Sequence, residues 1–255
     1  MLMKRIIKLL PIAVVLCIGA VSCDKDDNDD VNNPNIYLGH EYVDLGLKVK
    51  WATCNIGAEK PEDYGDYFAW GDTTTKYEPG YAQSESPQWK NGMWDGYSWV
   101  NYRFSNETSN SLFKYCNDSR SGFEGGTDTL TILTPADDVA HYKWGGNWRM
   151  PTQADFYELL NNCNFEFTTQ NGVKGMKVTS RKDSSQSIFL PATGSRDVTN
   201  LVGVGLGGFY WSSSLYKFDP SSALYLTFYP EYHTSLYHTS FVYRCYGLSV
   251  RPVCP

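Results

Sequence analysis

The residues that could do covalent or metal chemistry here are seven cysteines and four histidines, and their spacing removes most of it. Cys54, Cys116, Cys163, Cys245 and Cys254 fall in the body of the chain with no Cys-x-x-Cys among them, so no zinc ribbon is present. Five is an odd number; outside the cytoplasm at least one thiol stays free or pairs elsewhere, and Cys54 with Cys254 is the expected pair, because it would tie the two ends of the domain together. His233 and His238 stand five apart without a third ligand and are expected to face solvent. Ser212-Ser213-Ser214 lacks the Gly-x-Ser-x-Gly elbow of a hydrolase nucleophile. Gly203-Val204-Gly205-Leu206-Gly207-Gly208 spells Gly-x-Gly-x-x-Gly, but Phe209-Tyr210-Trp211 behind it reads as strand, where a pyrophosphate needs a helix N-terminus. A glycine-rich loop is the expectation. No catalytic residue, metal ligand or cofactor is nominated.

Cys23 is different, because its surroundings assign it a chemistry. Lys4, Arg5 and Lys8 precede an apolar run from Leu9 to Val21, and Ala20-Val21-Ser22 leads into the cysteine with the small residues of a cleavage site. The pattern resembles a bacterial lipoprotein signal, which implies a leader over 1–22, diacylglycerol on the Cys23 thiol and acylation of the new amine. Several chains on one residue anchor stably, since each buried methylene contributes roughly 0.8 kcal/mol. As a transmembrane helix the run is too short: 13 residues interrupted by Pro11, against the ~20 a bilayer requires. Asp24-Lys25-Asp26-Asp27-Asn28-Asp29-Asp30 then has nothing to bury and reads as a solvated tether over 23–36. It lacks EF-hand spacing. It resembles the acidic signal that sends some Gram-negative lipoproteins to the outer face of the outer membrane; a spacer on the periplasmic face is the alternative.

Loss of Lys4, Arg5 and Lys8 with the leader takes the formal net charge from −6 to −9, and no basic stripe appears, which excludes nucleic acid as a partner. Residues 37–255 suffice for one domain burying on the order of 70% of its unfolded surface. Abundant Tyr, Phe and Trp with scattered Gly favour short strands and many turns. Tyr67-Phe68-Ala69-Trp70-Gly71 is expected to close a strand, and 72–126 to form long loops. Thr134 is expected to cap a short helix ending at Gly145-Gly146. Thr152 and Asp155 form a capping-box pair ahead of Phe156, Leu159, Leu160 and Cys163, which share one face of a helix. Asn171-Gly172 marks a hairpin turn. In the strand that follows Ser222, Leu224, Leu226 and Phe228 point one way and Tyr225, Thr227 and Tyr229 the other.

Six motifs then occur in order: Val43-Asp44-Leu45-Gly46-Leu47-Lys48-Val49-Lys50-Trp51-Ala52, Tyr64-Gly65-Asp66-Tyr67-Phe68-Ala69-Trp70-Gly71, Trp148-Arg149-Met150-Pro151-Thr152, Phe189-Leu190-Pro191-Ala192-Thr193-Gly194, Tyr210-Trp211-Ser212-Ser213-Ser214 and Gly247-Leu248-Ser249-Val250-Arg251-Pro252-Val253. Together they resemble the Fibrobacter succinogenes major paralogous domain family, secreted and lipid-anchored proteins related to the C-type-lectin-like fold. The resemblance implies an α+β domain over 37–255, with two helices flanking small antiparallel sheets and long irregular loops forming a binding surface. Calcium lectins of this fold use Glu-Pro-Asn or Gln-Pro-Asp with Trp-Asn-Asp; this chain has Glu78-Pro79-Gly80 and no Trp-Asn-Asp, so no calcium site carries over. Arg149-Met150-Pro151-Thr152-Gln153-Ala154-Asp155 also resembles a segment of the formylglycine-generating enzymes, which need a reactive thiol pair; Cys245 and Cys254 are nine apart without an activating partner. The expectation is a non-catalytic surface lipoprotein, held to the lipid bilayer through Cys23, that takes a glycan or protein ligand on Tyr229, Tyr232, His233 and Tyr237. A structural or assembly piece of the cell envelope is the second reading, and an oxidase of the formylglycine-generating kind the third. Asp72-Thr73-Thr74 and Asp128-Thr129-Leu130 resemble O-glycosylation sites of such bacteria.

Overall fold

The computed structural model describes residues 35–76, 89–90, 93–94, 96–198, 200–230 and 237–255. The leader, Cys23 and the acidic run lie outside them, as do Tyr232 and His233. Among the described residues no helix is long and apolar enough to cross a membrane. In chain order the elements are Ile36–Tyr37 (β1), His40–Val43 (β2), Lys50–Ala52 (β3), Trp89–Lys90 (β4), Met93–Trp94 (β5), Val139–Trp144 (α1), Gln153–Asn162 (α2), Cys163–Gln170 (β6), Val173–Ser180 (β7), Ser187–Pro191 (β8), Ser195–Asp197 (β9), Asn200–Val202 (β10), Gly208–Leu215 (β11), Ser222–Phe228 (β12), Tyr237–Tyr243 (β13) and Val253–Cys254 (β14). The sheets run β1-β2-β3-β14, β6-β7-β8 and β11-β12-β13, with β4-β5 and β9-β10 as separate ladders, every strand pair being antiparallel. Two helices and small antiparallel sheets make this an α+β fold.

Local signals account for α2 and the β6–β7 turn. Thr152 accepts from the Asp155 N–H while the Asp155 carboxylate accepts from the Thr152 N–H, closing the capping box, and Phe156, Leu159 and Cys163 are buried on one stripe. Asn171 and Gly172 both adopt positive φ (47° and 86°), as a two-residue turn between right-twisted strands requires. The start of α1 differs from expectation. Thr134 leads only a 3-10 turn, Pro135–Asp137, and its side chain caps no backbone N–H. The cap is Asp138, whose carboxylate accepts from the N–H groups of Ala140, His141 and, from beyond the helix, Met150.

The chain ends are joined by strand pairing rather than by sulfur. Val253 lies opposite Trp51 and Cys254 opposite Lys50, while Cys54 lies beyond the end of β3 and Val250 accepts from the Ile56 N–H. Cys54 thus stands four residues past the strand partner of Cys254 rather than across from it. The expected Cys54–Cys254 bond is therefore absent, and all five cysteines of the body are free thiols. The guanidinium of Arg251 occupies the junction instead. Fully buried, it donates to the carbonyls of Ala52 (3.1 Å), Thr53 (2.6 Å) and Phe189 (3.0 Å) and to Asn55 Oδ1 (2.8 Å).

The sheet of β11, β12 and β13 separates two cores. Tyr210, Leu226 and Phe228 face one, with Phe156, Leu159, Met176 and Trp51; Trp211 and Ala223 face the other, with Trp70, Tyr102 and Tyr115. Tyr67 to Gly71 makes only a single bridge, Phe68 to Leu248, instead of the expected strand. Side-chain donors add to the few backbone partners there: Tyr97 Oη donates to the Tyr67 carbonyl, Trp211 Nε1 to the Phe68 carbonyl that also accepts from Leu248 N–H, and Tyr102 Oη to the Trp70 carbonyl. The irregular segment that follows is pinned by two buried charges. Asp137 receives Arg103, Lys114, Tyr115 Oη and Thr134 Oγ1, and Arg244 donates to Tyr102 Oη and to the carbonyls of Tyr115 and Pro220 while stacking over Trp70 at 5.2 Å.

Candidate functional site

Of the four expected ligand contacts, Tyr229 and Tyr237 are brought to the base of one hairpin. Phe228 pairs with Tyr237, and the connecting residues 231–236 lie outside the described residues. Tyr229 is half-buried, its ring laid against Gly207, where a Cβ would overlap it. The glycine loop 203–207 thus serves to seat a tyrosine. It precedes β11, as expected, and no helix follows it.

A larger group of exposed rings stands toward the other end of the same sheet. Phe218 is 76% exposed, Phe241 49% and Tyr243 46%. Tyr216 stacks on Phe241 with centroids 4.0 Å apart and planes within 3°, and Phe218 meets Tyr216 edge-on at 5.6 Å. Tyr243 continues the group against Trp99 and Tyr246. These rings come from the edge strand β13 and from the turn after β11. The 216–218 turn carried no sequence signal, and nothing in the sequence showed which strand would lie at an edge.

Two small cavities flank α1. One, of about 210 Å³, lies between the β1–β2 hairpin and Trp144, and includes Glu41, Glu59, Thr53 and the half-buried Cys54. His40 covers the Trp144 face there, 3.8 Å away and nearly parallel. The hairpin is held in place by Asn147 N–H donating to Tyr37 Oη and Trp148 Nε1 donating to the Tyr37 carbonyl. The other, of about 260 Å³, lies between α1, the start of α2 and the serine run of β11, and is lined by Ile132, Pro135, His141, Asn147, Arg149 and Ser213.

Among the described residues no group of three or more His, Cys, Asp or Glu could hold a metal ion. Burial pushes the Cys245 thiol up to about 12 and the Cys163 and Cys254 thiols to about 11, so each is a neutral thiol at physiological pH. Cys245 and Cys254 sit in different core clusters. At the two candidate glycosylation sites Thr74 and Thr129 are exposed, whereas Asp72 is buried beside Lys76 and Asp128 is occupied by the N–H groups of Tyr115 and Leu130. No protein-family model, no curated protein and no solved structure matches this chain.

Proposed function

We propose that this chain is a lipid-anchored protein of the outer membrane, facing the cell exterior, whose C-type-lectin-like domain belongs to the Fibrobacter succinogenes major paralogous family and binds a glycan without chemistry. The observation that carries the binding reading is the cluster in which exposed Phe218 and Phe241 meet half-buried Tyr216, with exposed Tyr243 two residues along β13 from Phe241. Apolar rings dispersed singly over a surface need no explanation, but a contiguous group marks a site. Sugar rings lie flat on such faces, and the tyrosine hydroxyls supply the polar handle. Paired terminal strands, two helices and loop-borne rings support the fold assignment. The buried, separated thiols Cys245 and Cys254 speak against an oxidase. The Cys23 anchor rests on the leader and the tether, and a Cys23→Ser protein is expected in the soluble fraction.

A glycan array with detergent-solubilised full-length protein tests the reading: binding is expected, and is expected to vanish in Phe218→Ala/Phe241→Ala without loss of fold. The edge of β13, which no strand pairs among the described residues, stands beside the same rings and favours one alternative, docking of a partner protein in an envelope assembly. A blank array, with a stoichiometric partner released by the same double substitution, would establish that alternative.

A further inference from the structure

We infer that the 260 Å³ cleft between α1, α2 and β11 is a subsite for the terminal ring of a neutral oligosaccharide, an inference that rests on the glycan reading and names the end of the ligand the protein grips. Its volume lies below the ~300–1,000 Å³ of pockets for drug-sized ligands, which leaves room for one sugar ring. Ile132, Leu133 and Pro135 supply an apolar wall for a ring face. The cleft is also lined by half-buried His141 and exposed Asn147, neither with a side-chain hydrogen bond among the described residues; their backbone groups are engaged, through both N–H groups and the His141 carbonyl. Hydroxyls on an incoming ring would meet both a donor and an acceptor there.

The charges lining the cleft are already answered, and this decides for a neutral ligand. Asp138 is saturated by three N–H groups, and Arg149 is paired with Asp155 at 2.7 Å. The walls are fixed by the two helix caps and by Leu133 N–H donating to the Ser213 carbonyl, so the cavity is preformed. The cleft and the rings share strand β11 and the turn after it. Ser213 lines the cleft, Ser214 Oγ accepts from the Gln153 N–H, Gln153 Nε2 donates to the exposed Tyr157, and Tyr216 lies three residues, about 10 Å, past Ser213 along the strand. That separation is longer than one sugar ring, so only a ligand of several rings could occupy both places.

The test compares detergent-solubilised full-length protein with His141→Ala/Asn147→Ala and with Ile132→Trp, which fills the cleft from an exposed rim position. Neutral oligosaccharides are the probes. Two lost hydrogen bonds predict about tenfold weaker binding in the double variant, and Ile132→Trp is expected to weaken it at least as much. The unmodified protein supplies a second readout: methyl hexopyranosides should shift the His141 ring resonances. Oligosaccharide binding that needs Phe218 yet is unchanged by both cleft variants, or His141 resonances that no glycoside moves, overturns the subsite and leaves the glycan reading standing. Absence of any saccharide binding overturns both.

Discussion

Arg251 carries the sharpest stability prediction, because it is a buried cation held by dipoles with no carboxylate among its recorded partners. Replacement by Met keeps most of the volume and removes the charge and the donors to Ala52, Thr53, Phe189 and Asn55. Three carbonyls and one amide oxygen are then left in a dry interior, at about 1–3 kcal/mol for each unsatisfied group. Against this, taking a buried charge away relieves a desolvation penalty of several kcal/mol. That penalty is real, since burial pulls the Arg251 pKa below its ordinary value. With four acceptors at or above the low end of the range and part of the penalty recovered, Arg251→Met should lose about 3–5 kcal/mol, a large share of the ~5–15 kcal/mol that holds a typical domain. Arg251→Lys, with fewer donors and no planar fork, should lose about half as much. Equilibrium urea unfolding followed by tryptophan fluorescence measures both. Arg251→Met within about 1 kcal/mol of the parent, at unchanged m-value, would refute the argument that this guanidinium organises the junction of β3, β8 and β14.

Three further outcomes follow from the same physics. Gly146→Ala should cost about 1–3 kcal/mol and loosen β1–β2 first, because φ is +53° there and a Cβ would strike Leu38 and Tyr37; hydrogen exchange at 36–43 reads this, and unchanged protection contradicts it. Burial works to raise the Asp137 carboxyl, but hydrogen bonds from Lys114, Tyr115 and Thr134 outweigh it and hold it below the usual range. A depressed folded pKa contributes stability that is present above the unfolded value near 3.9 and is lost as pH falls through the folded one, so Asp137→Asn should flatten the stability profile below about pH 4, and an unaltered acid limb would contradict it. Brief maleimide labelling of native protein at pH 8 should modify Cys54 and spare Cys116, Cys163, Cys245 and Cys254, whose thiols burial holds protonated, with peptide mapping by mass spectrometry as the readout and fast labelling of Cys245 as the contrary result.

What the sequence disclosed and what it withheld divide along the range of the interactions involved. The α2 capping box and the Asn171-Gly172 turn were legible because every group they need lies within four residues. Thr134 and Asp138 both satisfy local capping rules; the choice is made by Met150 N–H, twelve residues downstream, which shares the Asp138 carboxylate. The Cys54–Cys254 pairing failed on register, which the sequence does not state. Alternation along β12 was legible, but not that both faces are covered: Leu226 and Phe228 enter one core while Ala223 and Tyr225 lie against the other, so this strand offers little surface. The exposed rings belong to its neighbour β13, which no later strand covers among the described residues, and to the 216–218 turn packed beside it. Whether a strand is central or at an edge is decided by which segment returns to pair with it. Composition could therefore announce a ring-rich surface, yet only the assembled sheet shows that Tyr216 and Phe241, 25 residues apart in the chain, form one stacked pair.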